Sequence, residues 1–161
     1  MSSKTRFINP DALSRPPGYT HVVEATAPAR LVYLAGQLGL DREGKVVGGA
    51  GDFRAQAVQT FENLKAGLAA VGGSFQHVVK LNNYLTDIKH LPIFREVRDN
   101  YLPASNKPAS TTIQISGLAR EGALLEIEAV AVLPAAARSK AAGKSRGGRA
   151  ATKASRSKRK R

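Results

Sequence analysis

Three observations in the sequence predict an α+β domain. A long amphipathic helix pattern runs from Phe53 to Val71, and a shorter one runs from about Leu91 to Leu102. Apolar, β-prone runs outnumber these helices and do not alternate with them strictly. After Pro134 no Leu, Ile, Val or aromatic residue occurs again. The resulting order, β-β-(β)-α-β-α-β-β over residues 1–134, reads as a mixed sheet with both helices laid on one side. At 161 residues the chain is long enough for one domain with a real core.

Residues 20–26 (THVVEAT) and 30–37 (RLVYLAGQ) read as two strands joined at Pro28. The run Leu31–Ala35 is nearly all apolar, which predicts a strand covered on both faces. Gly36-Gln37-Leu38-Gly39 breaks that strand. Asp41-Arg42-Glu43-Gly44 is turn chemistry, leading to a short strand at Lys45–Val47. Gly48-Gly49-Ala50-Gly51 lacks the following Lys-Ser/Thr of a phosphate loop and reads as a turn.

Asp52 then supplies an N-cap for the main helix. Phe53, Ala57, Phe61, Leu64, Leu68 and Val71 recur at intervals of three and four and define its buried stripe. Gln56, Gln59, Glu62, Asn63 and Lys65 read as its polar remainder, and Gly72-Gly73 ends it. Val78–Thr86 is the next strand, with Val79, Leu81 and Leu85 as its apolar set. Its Asn82 and Asn83 are unusual for a buried strand and point to a polar interior or a subunit contact. The second helix has Pro92 in its first turn, Phe94, Val97 and Tyr101 on one face, and Pro103 at its end. Thr111–Ile115 and Leu125–Leu133 read as a strand pair across a short polar connection. Glu126 and Glu128, alternating with Ile127, share one face of the last strand.

The net charge of +13 belongs to the tail. Arg138, Lys140, Lys144, Arg146, Arg149, Lys153, Arg156, Lys158, Arg159, Lys160 and Arg161 face no acid between them, whereas residues 1–137 balance to +2. Residues 135–161 are too poor in apolar groups to offset the entropy of ordering, so they read as a disordered basic tail. Such a tail predicts salt-sensitive, non-specific DNA or RNA binding, because it has no aromatics to stack bases. The alternative is a solubilising extension. Without cysteine there is no disulfide and no thiolate chemistry. His21, His77 and His90 lack ligand spacing, and no metal site is expected. No signal-like or membrane-length apolar run occurs, so a soluble, cytoplasmic protein is expected.

The segment Lys107–Val132 (KPASTTIQISGLAREGALLEIEAVAV) resembles the C-terminal strands of the Rid family, also called YjgF-like or L-PSP proteins. The resemblance extends over roughly residues 15–133 through several other stretches. They are Gly18-Tyr19, Val32–Gln37, Gln56–Leu64, Ser74–Asp87 and Phe94–Tyr101. It implies a chorismate-mutase-like fold and a homotrimer with three clefts between subunits. It also implies hydrolysis of small imines or enamines of the 2-iminobutanoate/2-iminopropanoate type, with no metal or organic cofactor.

Arginine suits the carboxylate of such substrates, since its planar guanidinium donates two parallel charge-assisted hydrogen bonds. A glutamate can order and polarise the attacking water. By resemblance, Tyr19 matches the cleft tyrosine, Gly36 the glycine beside the ligand, and Glu126 the water-positioning glutamate. Three positions depart from the pattern: Ala35 stands for a hydroxyl residue, Arg98 for an asparagine, and Ser110 for the arginine. The lost arginine puts ordinary 2-imino-acid deamination in doubt. Arg98 is either a substitute anchor or a solvated helix residue paired with Asp99 or Glu96. Hydrolysis of an atypical imine, non-catalytic metabolite binding in the same clefts, and nucleic-acid association through the tail all remain open. A ribonuclease site is not legible.

Overall fold

The computed structural model describes residues 4–135, apart from 14, 17, 27, 28 and 50. The main helix, α1 (Phe53–Ala70), starts where the Asp52 side chain accepts a hydrogen bond from the Ala55 backbone N–H at 3.0 Å. Its stripe of Phe53, Ala57, Phe61, Leu64 and Leu68 is buried as the spacing predicts. Gln56 departs from the prediction, for it is fully buried. Its amide donates to Gly122 O at 3.0 Å and accepts from Leu124 N at 2.9 Å. A buried amide satisfied at both ends is stable, and this one pins the connection before the last strand to the helix.

The strands are β1 (Lys4–Ile8), β2 (Val22–Thr26), β3 (Ala29–Leu38), β4 (Val78–Leu85), β5 (Ala109–Gln114) and β6 (Leu125–Pro134). The second helix, α2 (Leu91–Asp99), lies between β4 and β5 and is shorter at its C-terminal end than the apolar pattern predicts. The main sheet is mixed, in the order β3-β6-β4-β5, with β4 and β5 parallel and the other pairs antiparallel. The expected pairing of the last two strands is therefore corrected: β4 lies between β5 and β6. The connection of residues 115–124 crosses two strand spacings, about 10 Å, to reach the far side of β4.

β1 forms a separate two-stranded sheet with β2. The sequence reading missed it, because KTRFI has too few apolar residues to stand out. The expected strand at Lys45–Val47 is only an isolated bridge, Leu40 to Val46. The junction at Pro28 lies outside the described residues. So do the eleven tail cations from Arg138 to Arg161; of the predicted tail only Ala135 is described.

Both helices cover one face of the main sheet. Leu125, Ile127, Ala129 and Ala131 of β6 point into that layer, with Leu81 and Leu85 of β4. On β4 a register irregularity between Val78 and Lys80 resets the alternation. Val78 is therefore the buried residue in place of the expected Val79, and Asn83 faces the helices. The other face carries no helix. Leu31 is 55% exposed and Tyr33 is 74% exposed, contrary to the covered strand predicted from Leu31–Ala35. In one chain only the α1 side of β3 is packed.

Between α1 and α2, Phe61 stacks on Tyr101 with ring centroids 5.0 Å apart, and Tyr101 donates its hydroxyl to Glu62 at 2.9 Å. Burial, then the bond to Glu62, pushes the Tyr101 pKa up to about 12. The folded state thus favours the protonated phenol. Its stabilisation is complete below the unfolded value near 10 and is lost as pH rises through about 12. Denaturant titrations between pH 9 and 12 are expected to show a fall in stability that is smaller in Tyr101→Phe.

Candidate functional site

A pocket of about 180 Å³ opens at the β5 edge, on the helix side of the sheet. Gly18 and Tyr19 line it from the N-terminal loop, Arg95 and Arg98 from α2, and Ser110 and Thr112 from β5. Ile88 and Leu91 supply its apolar lining. Thr20 holds the loop in place: its backbone N–H donates to Pro108 O at 3.1 Å and its hydroxyl to Lys107 O. That staple brings Tyr19 next to the start of β5, far from it in sequence.

Arg98 is only 5% exposed, so the solvated alternative for this residue is corrected. Its partner is Asp99, whose Oδ1 accepts from Nε at 3.0 Å and lies 2.9 Å from Nη2 in an ion pair. Glu96 pairs instead with Arg54 of α1, at 2.7 and 2.9 Å. Lys107 Nζ also reaches Asp99, at 2.8 Å. Burial raises the Asp99 pKa, but the bonds from Lys107 and Arg98 outweigh it and hold the carboxyl below its ordinary value. Asp99 is therefore an ionised clamp on one edge of the guanidinium. The guanidinium carbon lies 5.9 Å from the centroid of the Phe94 ring. A Cβ on Gly18 would come within 2.5 Å of Arg98 Nη2. A side chain at this position would push the guanidinium aside, so glycine lets the loop lie against the arginine as it is placed here.

The remaining site residues form a second group on the helix-free face. Leu34 pairs with Ala129 and Gln37 with Ile127, so Ala35 and Gly36 form a bulge opposite Glu128. Bulges re-aim backbone and side chains, and here the Gly36 backbone meets Glu126. A Cβ at Gly36 would lie 1.7 Å from Glu126 Oε1. Tyr84 faces Glu126 across the ladder and donates its hydroxyl to Glu128 at 3.2 Å. Partial burial, then that bond, raises the Tyr84 pKa. Asn82 adds a weaker bond to Glu128 at 3.3 Å.

Tyr19, Arg98 and Ser110 thus come together, as do Ala35, Gly36 and Glu126, but the two groups lie on opposite faces of the sheet. Sequence reasoning missed Arg95 and Thr112. The only signal for Thr112 was its two-residue spacing from Ser110, which puts both on one face of β5. Among the described residues no group of three or more His, Asp or Glu is placed to hold a metal ion. No helix among them is long and apolar enough to cross a membrane.

The family model described as "Endoribonuclease L-PSP" matches residues 12–133. The chain belongs to this family, the Rid group to which its motifs are similar. Protein DfrA of Myxococcus xanthus is 40% identical over 71% of this chain and 84% of its own length. The 3-aminoacrylate deaminase RutC of Acinetobacter baylyi is 35% identical over 72% of this chain and 90% of its own. Among solved structures, the Rid-family protein YyfB of Yersinia pestis superposes with a TM-score of 0.74 at 32% identity. That match covers 80% of this chain and 98% of YyfB. In this L-PSP family member the mixed sheet with two helices on one face is the family fold. The Arg98–Ser110 pocket lies within the part of the chain that the family model matches.

Proposed function

We propose that this chain hydrolyses a small imine or enamine that carries a carboxylate, in clefts formed between copies of itself in a homotrimer. The observation that carries the reading is the Arg98 guanidinium, buried beside Ser110 with its loop, helix and strand held together around it. A guanidinium there provides the anion-holding function that serine at position 110 lacks. Association of copies is supported by the uncovered sheet face, with Leu31, Tyr33 and Ile113 exposed. It also explains why the site residues of one chain form two groups on opposite faces. A cleft between copies can join the carboxylate-holding group of one chain to Gly36 and Glu126 of the next.

In this reading Arg98 holds the substrate carboxylate and Glu126 orders a water against the imine carbon. The water oxygen bonds to that carbon and the C=N π electrons move to nitrogen, which takes up a proton. The resulting carbinolamine loses ammonia and leaves a 2-keto acid, so one water is consumed for each ammonia released. Supplying freshly generated 2-aminoacrylate and following the keto acid tests the reading. Turnover above the uncatalysed rate is expected, with a loss of at least about tenfold in Glu126→Gln. No acceleration, alongside measurable binding of keto acid, would instead identify a metabolite-binding protein.

A second reading concerns residues 138–161, whose eleven cations face no acid. They suit a polyanion such as DNA or RNA, and several tails on one oligomer would add avidity. Retention on immobilised DNA at low salt is expected, falling steeply with salt and disappearing when residues 138–161 are deleted. Equal retention of the truncated protein would clear the tail of that role.

A further inference from the structure

Asn83 is 1% exposed and faces the helix layer between two fully buried leucines, Leu81 and Leu85. A polar side chain at such a position needs a reason beyond the core. Its Nδ2 approaches three acceptors: Thr111 O at 2.8 Å, Ser110 Oγ at 3.0 Å and Thr112 Oγ1 at 3.1 Å. Its Oδ1 is buried with no hydrogen-bond partner among the described residues. The orientation of the amide is decided by Thr111. A backbone carbonyl can only accept, so the amide atom beside it must be the nitrogen. The opposite orientation would set two carbonyl oxygens against each other.

With Nδ2 on this side, one N–H goes to Thr111 O and the other is shared between the Ser110 and Thr112 hydroxyl oxygens, which act as acceptors toward Asn83. Each retains one proton, and neither hydroxyl donates to a protein acceptor among the described residues. Both hydroxyls line the pocket that Arg95 and Arg98 also line, and no carboxylate lines it. The arginines donate and cannot accept. Apart from the Tyr19 hydroxyl, which can donate or accept, the polar side chains of the wall therefore offer donors to whatever enters.

We infer that Asn83 is a positioning residue that turns Ser110 and Thr112 into hydrogen-bond donors toward the pocket, making the site selective for the carboxylate of a short-chain oxo or imino acid. The inference deepens the deaminase reading and rests on it for the location of the ligand. It differs in substance, because selectivity comes from a buried amide acting through two hydroxyls and not from the arginines alone. A neutral amide in place of the carboxylate would bring its own N–H groups against donors, leaving them unpaired.

The test is binding of pyruvate and of its neutral amide, pyruvamide, to the full-length protein by NMR titration. Wild type is compared with Asn83→Leu, with Ser110→Ala/Thr112→Ala, and with the triple variant, each checked for a cooperative melt. Wild type is expected to prefer pyruvate by at least about tenfold. Asn83→Leu and the double variant should each lose most of that preference, and the triple variant should lose no more than the double. That non-additivity is the mark of Asn83 acting through the two hydroxyls. A purely structural asparagine would weaken both ligands alike and leave the preference intact. Wild-type preference retained in Asn83→Leu, or additive losses in the triple variant, overturns the inference. Should Asn83→Leu fail to fold, an unchanged preference in Ser110→Ala/Thr112→Ala overturns it as well. Turnover of 2-aminoacrylate without a pyruvate preference sinks this inference and spares the deaminase reading. The pyruvate preference with its non-additive loss, but without turnover, does the reverse.

Discussion

Replacing Arg98 with alanine is expected to lower kcat/KM for 2-aminoacrylate by about 100-fold, mostly through KM. A charge-assisted hydrogen bond to a carboxylate is worth about 1.5–3 kcal/mol, so two of them at the low end of that range cost about 3 kcal/mol, or about two orders of magnitude. The loss falls on KM because the carboxylate, although bonded to the reacting carbon, keeps its charge through the addition of water and is held alike in ground and transition states. Arg98→Lys should recover part of the loss, since it keeps the charge and gives up the planar fork. The alanine variant leaves the exposed Asp99 paired with Lys107, so the fold should persist. Steady-state kinetics of keto acid release, with a melting curve for each variant, measures this directly. A robust wild-type activity that is unchanged in Arg98→Ala would refute the substitute-anchor role.

The largest effect on stability is expected at Phe61. Its side chain is fully buried. Its ring lies 5.0 Å from Tyr101, 5.9 Å from Phe75 and 6.2 Å from Phe94, centroid to centroid. Phe61→Ala removes the residue on which α1, α2 and the turn before β4 converge. The lost transfer energy and the cavity together should cost about 3–5 kcal/mol. Set against a typical domain stability of about 5–15 kcal/mol, that is a large share. Urea unfolding followed by circular dichroism should show the midpoint fall with little change in slope. The exposed Arg54–Glu96 pair links the same two helices, and because solvent screens it, its removal should leave the midpoint almost unchanged.

The two helices were legible because their apolar residues repeat every three or four positions and their caps are local. Asp52 needs only the next few residues to act as an N-cap, and Pro92 only the first turn of α2. The strands were legible as strands, but their neighbours were not. Nothing in Thr111–Ile115 or Leu125–Leu133 says that β4 will lie between them, since strand pairing depends on contacts distant in sequence. Gln56 and Asn83 show the same limit from the other side. Both are polar and so read as solvent-facing or as anomalies, yet each is buried with backbone partners that come from other elements.

The candidate site divides in the same way. Motif similarity singled out Tyr19, Gly36, Glu126, Arg98 and Ser110 as candidates, and the serine at the arginine position was visible from one residue. That Arg98 is buried, is clamped by Asp99 and faces Ser110 required the loop at Gly18–Thr20 to be stapled to Lys107 and Pro108. By itself the sequence determined the family, the α+β class, the helices and the charge of the tail, because composition, period and motif spacing are properties of neighbours along the chain. The tertiary structure alone decided which residues share a pocket, which face of the sheet stays bare and which way the Asn83 amide points. Those features arise from contacts between distant segments, and local chemistry does not encode them.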